Sequence, residues 1–180
     1  MRSVILLAVF LVSPRCLPAA DVSASLVTRG LIGHWQFNGN GHDTSPKSAH
    51  GELLGSPGFP DTSVGGKNLR LNGRDTSIRI PAERAPSLGK GSFSIALFVQ
   101  PRRGGEQVIL SQTDESGTGW RLLQTKEMGI KLETTGKAAA DDSNIISPAN
   151  VLANGRWGHV VIAVNRTTDG GYARLYVNAR

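Results

Sequence analysis

The segment Gly91-Ser-Phe-Ser-Ile-Ala-Leu-Phe-Val-Gln-Pro101 decides the fold, because apolar residues occupy every second position through its centre. Alternate side chains of a β-strand point to the same face, so this spacing is typical of a half-buried strand. The residues predicted to point between two sheets are Phe93, Ile95, Leu97 and Val99. Phe98 belongs to the opposite face, where Ser94, Ala96 and Gln100 surround it.

Two other segments have the same β-type character. Arg156-Trp-Gly-His-Val-Val-Ile-Ala-Val-Asn-Arg166 is rich in β-branched residues, and Gly30-Leu-Ile-Gly-His-Trp-Gln-Phe-Asn-Gly39 places Trp35 and Phe37 in phase. The chain has 22 Gly and 9 Pro between short apolar runs, and no long segment carries a helical apolar stripe. The predicted strands are residues 31–38, 68–71, 77–80, 92–100, 107–112, 119–124, 129–133, 157–165 and 173–178. The fold class predicted is all-β, a two-sheet antiparallel β-sandwich, with loops at 40–67 and 135–154.

Several short motifs occur in a characteristic order along the chain. G-x-W-x-F-x-G begins at Gly33, D-x-S at Asp43, and G-S-F-S-I-A-L-F-V-x-P at Gly91, before W-x-H-V-V at Trp157 and L-Y-V-N at Leu175. In this order they resemble the laminin G-like branch of the concanavalin A-like lectin/glucanase superfamily. The resemblance implies a jelly-roll sandwich over about residues 30 to 180 and leaves the function open, since one fold hosts many functions.

The N-terminus has the features of a secretory signal peptide. Met1-Arg-Ser3 carries a positive charge, residues 4–12 are apolar, and Ala19-Ala20 supplies small residues for cleavage. We therefore predict a cleaved signal peptide over residues 1–20, a linker over 21–29, and a secreted, extracytoplasmic domain over 30–180. The apolar run is shorter than the roughly 20 residues of a spanning helix, so no stable membrane insertion is predicted. The single cysteine, Cys16, leaves with this peptide, which excludes disulfides from the mature domain.

The charge of the chain favours anionic partners. Cleavage would remove Arg2 and Arg15 but no acid, which lowers the formal net charge from +6 to +4. Basic charge in a secreted domain attracts sulfated or uronic-acid polysaccharides. Nucleic acid is not predicted as a partner, because no recognised binding motif accompanies the charge.

No catalytic residues are predicted. The glucanases of the resembled fold carry two Glu and one Asp at alternate positions of one strand, which places all three carboxylates in the cleft. Here no Glu has an acidic residue two places away, and the pairs Asp114-Glu115 and Asp141-Asp142 are adjacent and would point to opposite faces of a strand. G-x-S-x-G and H-E-x-x-H are also absent.

Aromatic residues mark the predicted ligand site. Trp120 follows Ser116-Gly-Thr-Gly119, where a loop becomes a strand and an indole ring can stack on a sugar, with burial of the ring in the core as the alternative. Phe98 is the second predicted ligand-binding residue, with a purely structural aromatic as the alternative. Trp35 and Trp157 are predicted to be buried in the core.

The run Asn38-Gly-Asn-Gly-His-Asp-Thr-Ser45 predicts a Ca²⁺ site formed by Asp43, Asn38 and Asn40, because calcium prefers carboxylate, amide and carbonyl oxygens. Related domains of the resembled family hold calcium in this way. The alternative is that Asp43 caps its own turn. Asp169 is predicted to lie in the turn between the last two strands.

These observations predict a secreted, non-catalytic module that binds extracellular carbohydrate, including anionic polysaccharide, with a fused catalytic domain as a further candidate partner. The alternative is a structural or adhesive domain that binds a cell-surface protein and no sugar, and a divergent glycoside hydrolase is the third hypothesis. The resemblance further implies closing strands that pair beside the opening strand and that are missing after Leu175-Tyr-Val-Asn-Ala-Arg180. A domain without them is expected to aggregate through its exposed edge.

Overall fold

The computed structural model describes residues 30–62, 66–88, 91–136, 143–166 and 171–180. The predicted signal peptide and linker, together with Asp141, Asp142 and Asp169, lie outside these ranges. The described strands are β1 (Glu52–Leu54), β2 (Ser77–Arg79), β3 (Phe93–Val99), β4 (Gln107–Thr113), β5 (Gly119–Gln124), β6 (Ile130–Thr135), β7 (Ser143–Ile146), β8 (Gly158–Asn165) and β9 (Tyr172–Val177). None of the residues placed by the structure belongs to a helix long and apolar enough to cross a bilayer.

The strands form three antiparallel sheets, which confirms the all-β prediction. Their orders are β1-β2, β3-β8-β9 and β4-β5-β6-β7. The register of the second sheet follows from the alternation in the sequence, because Ile95 lies opposite Ile162 and Leu97 opposite Val160. Because the inward apolar residues of β3 lie opposite those of β8, their side chains share one face of the sheet.

The two larger sheets enclose the main hydrophobic cluster, so their packing is that of a β-sandwich. Leu97 is only 1% exposed, and Phe93 and Val99 are partly buried against the same cluster. The predicted inward face of β3 is therefore confirmed. The buried members of the cluster are Ile95, Leu97, Leu110, Leu122, Ile130, Leu132, Leu152, Val160, Ile162 and Val177.

A second hydrophobic cluster lies beside β2 and contains Trp35, Phe37, Ala49, Ile78 and Ile80. The indole N–H of Trp35 donates to the Ala49 carbonyl oxygen at 3.1 Å, which satisfies its polar atom within the core. Burial of Trp35 is thus confirmed. The predicted strand 31–38 is wrong, since the segment forms one isolated bridge between Trp35 and Asp43. Its extended conformation ends at Phe37, whose φ of +52° lies in the left-handed region.

Other predictions of local structure also need correction. Within the predicted strand 68–71 only Arg70 pairs, in an isolated bridge with Gly58, and β1 and β7 lie in segments predicted to be loops. Trp157, predicted to be buried, is 47% exposed. The alternation of β8 explains this exposure. Gly158 and Val160 are buried, so Trp157 and His159 occupy the alternate positions that point away from the core.

Candidate functional site

A tight turn between β4 and β5 brings Trp120 to its position. The Asp114 N–H donates to the Thr118 carbonyl at 2.9 Å, and Asp114 Oδ1 accepts the N–H groups of Ser116 at 2.9 Å and Thr118 at 3.0 Å. Gly119 follows with a φ of +147°, and a Cβ there would stand 2.0 Å from the Gln112 carbonyl oxygen. Only glycine fits this close approach, so β5 begins at Gly119 and its next residue, Trp120, pairs with Gln112.

Trp120 lines a cavity of about 420 Å³ between the two larger sheets, called here the Trp120 cavity. The indole is partly buried against the main cluster, and its Nε1–H donates to Gln112 Oε1 at 3.1 Å. The Gln112 amide nitrogen in turn donates to the Pro86 carbonyl at 3.4 Å. These contacts fix the orientation of the ring, and they were not predictable from the sequence because they join three separate segments.

The remaining lining of the Trp120 cavity combines apolar and hydrogen-bonding groups. Phe93 and Leu132 contribute apolar surface, while Thr134 and Asp114 contribute oxygens. The Arg166 guanidinium carbon lies 5.1 Å from the centroid of the Phe93 ring, a cation–π distance. A fixed aromatic ring with nearby hydroxyl, carboxylate, amide and guanidinium groups can stack on a sugar face and bond to its hydroxyls.

Phe98 lies apart from this cavity, on the outer face of β3. Its ring stacks on His159 with centroids 4.6 Å apart and planes inclined by 26°. It lines a second cavity, of about 1120 Å³, beside the edge of β3, called here the β3-edge cavity. The structure therefore does not bring the two predicted ligand-binding aromatics together, because Trp120 and Phe98 line different cavities.

Asp43 is 3% exposed, and protein groups engage both of its carboxylate oxygens. Oδ1 accepts the N–H groups of His34 and Ser45, and Oδ2 accepts the Ser45 hydroxyl and the Ala49 N–H, each at 2.8 Å. Burial acts to raise the pKa of Asp43, but these hydrogen bonds outweigh it and lower the pKa below the ordinary 3.8. This is the geometry expected for the turn-capping role.

The two asparagines predicted to join Asp43 at a calcium site also have protein donors. Asn38 Oδ1 accepts the Lys67 N–H at 3.0 Å, and Asn40 Oδ1 accepts the His42 N–H at 2.9 Å. A carboxylate has about four lone-pair directions, and four hydrogen bonds use them all at Asp43. The residues present therefore do not fit a Ca²⁺ ligand set. In the ranges that the structure covers, no group of three or more His, Cys, Asp or Glu could hold a metal ion.

We accordingly expect the melting temperature to be the same in millimolar CaCl₂ and in EDTA. A ligand that binds only the folded state raises the melting temperature by mass action, whereas an ion without a site does not. Differential scanning calorimetry of the full chain in the two buffers checks this. A rise of several degrees in calcium that is lost in Asp43→Asn would instead establish the site at Asp43.

Glu133 is the other carboxylate with a shifted pKa, and sequence inspection gave no sign of it. It contacts the Arg121 guanidinium through Oε1 and Lys131 Nζ through Oε2, the latter at 2.5 Å. Burial acts to raise its pKa, but the Lys131 hydrogen bond and the positive charges of Arg121 and Lys131 outweigh it and hold the pKa below 4.5. A glycosidase needs a general acid with a raised pKa, so neither Asp43 nor Glu133 has the character of one.

The fold is an antiparallel β-sandwich, and the Trp120 cavity lies between its two larger sheets. The family model of a laminin G domain, described as part of the concanavalin A-like lectin/glucanases superfamily, matches residues 72–180. The chain belongs to this superfamily. No curated protein and no solved structure matches the chain. The superfamily's description covers lectins as well as glucanases, so the fold fits a binding module.

Proposed function

We propose that this domain is a secreted, non-catalytic module that binds extracellular carbohydrate in the Trp120 cavity. The observation that carries the proposal is the indole of Trp120, which Gln112 holds at 3.1 Å in a cavity that also presents hydroxyl, carboxylate and guanidinium groups. An immobilised ring costs little further conformational entropy when a sugar stacks on it. Calcium is not part of the proposal, because the oxygens of Asp43 are already engaged by the protein.

The proposed ligand is an oligosaccharide that carries sulfate or uronate groups. The formal net charge after cleavage of residues 1–20 would be +4, and Arg166 lines the Trp120 cavity, so both the long-range field and a local cation favour an anion. The proposal also includes export by the N-terminal segment and attachment to a catalytic domain as a partner arrangement. The absence of alternating carboxylates in the sequence supports a non-catalytic role.

We expect Trp120→Leu to weaken oligosaccharide binding at least tenfold. Leucine keeps apolar volume against the main cluster but removes the flat ring on which a sugar stacks, a loss of about 1.4 kcal/mol or more in binding free energy. A glycan array with neutral, sulfated and uronate oligosaccharides identifies the ligand, and isothermal titration calorimetry of the best-bound oligosaccharide measures the affinity.

Trp157→Leu is the matched control, since this indole is 47% exposed and lies outside the Trp120 cavity. Melting temperatures of both variants establish that they are folded at the temperature of the titration. Equal affinities for Trp120→Leu and the parent protein, or no binding of any glycan on the array, would contradict the proposed site.

One observation favours the alternative, an adhesive domain that binds protein through a sheet surface. Tyr172 and Tyr176 are 46% and 36% exposed on β9, and the Arg174 guanidinium carbon lies 4.5 Å from the Tyr172 ring centroid between them. Tyrosine and arginine are enriched where protein partners bind. Cell-surface binding that is lost in Tyr172→Ser but retained in Trp120→Leu would favour this function over the sugar site.

A further inference from the structure

Two contacts hold Arg166 at the end of β8, where it lines the Trp120 cavity. Its backbone N–H donates to the Ser92 hydroxyl oxygen at 3.0 Å, and that hydroxyl donates to Asn165 Oδ1 at 3.1 Å. The guanidinium carbon lies 5.1 Å from the centroid of the Phe93 ring, which is itself partly buried against the main cluster. Arg166 is therefore restrained both at its backbone and at its charged end.

The guanidinium group of Arg166 suits an anionic substituent of a sugar. It carries five N–H donors in a rigid fork, which can donate two parallel hydrogen bonds to the oxygens of a carboxylate or of a tetrahedral oxyanion. Because the Phe93 ring already restrains the group, less conformational entropy is lost when an anion binds.

The acidic residue of the cavity is engaged by its own turn. Among the lining residues that the structure describes, Asp114 is the one acid. Its Oδ1 accepts the Ser116 N–H at 2.9 Å, the Ser116 hydroxyl at 2.6 Å and the Thr118 N–H at 3.0 Å. The positive ends of these dipoles partly offset the field of the carboxylate. Asp114 therefore opposes the binding of an anion less than a carboxylate without such donors would.

We propose that Arg166 selects anionic sugars at the Trp120 cavity. Its guanidinium binds a sulfate or uronate group while the sugar ring stacks on Trp120, and Phe93 and Ser92 position Arg166. This inference rests on the proposed function, because it assigns a role within the same site. The volume of about 420 Å³ is near the lower end of the range for small-ligand sites, about 300 to 1,000 Å³, so the enclosed part of the ligand is short.

The probes are three monosaccharides that differ only at the outermost carbon, namely glucose, glucose sulfated at its primary hydroxyl, and glucuronate. NMR titrations of the isotope-labelled full chain at constant ionic strength follow the Trp120 indole N–H and the Arg166 Nε–H. The signals are assigned by their loss in Trp120→Leu and Arg166→Gln. We expect all three sugars to shift the Trp120 signal, and only the two anionic sugars to shift the Arg166 signal. The anionic sugars should bind at least tenfold more tightly than glucose, and comparison of the two shows which anion is preferred.

Arg166→Gln tests the residue, and Arg156→Gln is its matched control. Both substitutions lower the net charge by one, and the two arginines are exposed near opposite ends of β8. The eight residues of that strand span about 25 Å, more than the Debye length of about 10 Å, so Arg156 acts only through the overall charge. We expect the preference for anionic sugars to fall at least tenfold in Arg166→Gln and to persist in Arg156→Gln. Glucose should bind all three proteins equally.

Arg166→Lys separates charge from geometry, since lysine keeps the positive charge but lacks the fork. It should retain only part of the anionic preference. Melting temperatures establish that the variants are folded, and Arg166→Lys together with the Arg166 signal of the parent protein decides the matter if Arg166→Gln does not fold.

Three results would overturn the inference and leave the sugar site in place. The first is equal affinity of the parent protein for glucose and the two anionic sugars. The second is an Arg166 Nε–H signal that neither anionic sugar shifts. The third is an anionic preference that survives in Arg166→Gln or that falls equally in Arg156→Gln, which would assign it to the overall charge. A Trp120 signal that none of the three sugars shifts would instead remove the sugar site from this cavity, and the inference with it.

Discussion

An Asp43→Asn variant is expected to lose about 3 kcal/mol of the free energy of unfolding at neutral pH, because buried donors lose their acceptors. The carboxylate accepts three backbone N–H groups and the Ser45 hydroxyl, each at 2.8 Å. Asparagine offers one carbonyl oxygen and turns an NH₂ group toward the remaining donors. Urea denaturation of the full chain, with the slope m compared between the proteins, measures the change.

The contribution of the Asp43 carboxylate to the free energy of unfolding is expected to decrease in acid. Its pKa in the folded protein lies below the ordinary 3.8, so its contribution to stability is complete above that value and is lost as the pH falls below it. The stability difference between parent and Asp43→Asn should therefore shrink in acid. Asp61→Asn is the control, since its side chain is 84% exposed and paired with Lys67, and it should change stability by less than about 1 kcal/mol. Equal effects of the two substitutions would contradict the capping role.

Leu97→Asp is expected to cost about 4 kcal/mol or more, enough to prevent folding of a domain of ordinary stability. Leu97 is 1% exposed within the main cluster, and an unpaired carboxylate there would lie between the two sheets. Loss of the cooperative thermal transition and of near-ultraviolet circular dichroism would report the effect.

Ser94→Asp places the same charge on the opposite face of the same strand, where the side chain is exposed. It should change the melting temperature by only a few degrees, which corresponds to less than about 1 kcal/mol. Comparable damage from the two substitutions would show that the face of β3 has been assigned incorrectly.

Strict alternation explains why β3 and β8 could be predicted from the sequence. In both strands the apolar parity is continuous over several residues, and the pairing of Ile95 with Ile162 places both on the buried face. The strands β1 and β7 carry no such signal, because their residues are mostly exposed and only three and four residues pair. Short strands of this kind are held by their neighbours, and local sequence does not encode that contact.

In the opening segment the sequence predicted a strand, over residues 31–38, that the structure does not have. Leu31, Trp35 and Phe37 have strand-like spacing, yet the buried indole is held by the Ala49 carbonyl and the turn around Asp43 in place of a ladder. Alternation showed which residues are buried, but backbone pairing also depends on a neighbouring strand. The Asp43 turn itself was foreseeable as the alternative to calcium, because aspartate commonly accepts N–H groups two residues onward.

The candidate site was predictable only at its aromatic residue. A glycine-rich turn before Trp120 indicates where the indole stands, and the structure places it in a cavity. The partners that orient and surround it, Gln112, Phe93 and Arg166, come from other strands and from the end of β8. Such contacts are properties of the tertiary fold, and no spacing in a single sequence encodes them.

The pairing of β3 with β8 has a consequence for how the chain folds. Every strand of the four-stranded sheet lies between these two in the sequence, and the three pairings within that sheet join strands that are consecutive along the chain. Because closing a short loop costs less entropy, the β4-β5-β6-β7 meander is expected to form first. The strand β3 then pairs with β8, whose partner residues lie 59 to 71 positions further along the chain. Folding rates fall as such long-range pairings accumulate, typically to milliseconds or seconds. During that interval the apolar run from Phe93 to Val99 has both edges open, which exposes it to misassembly.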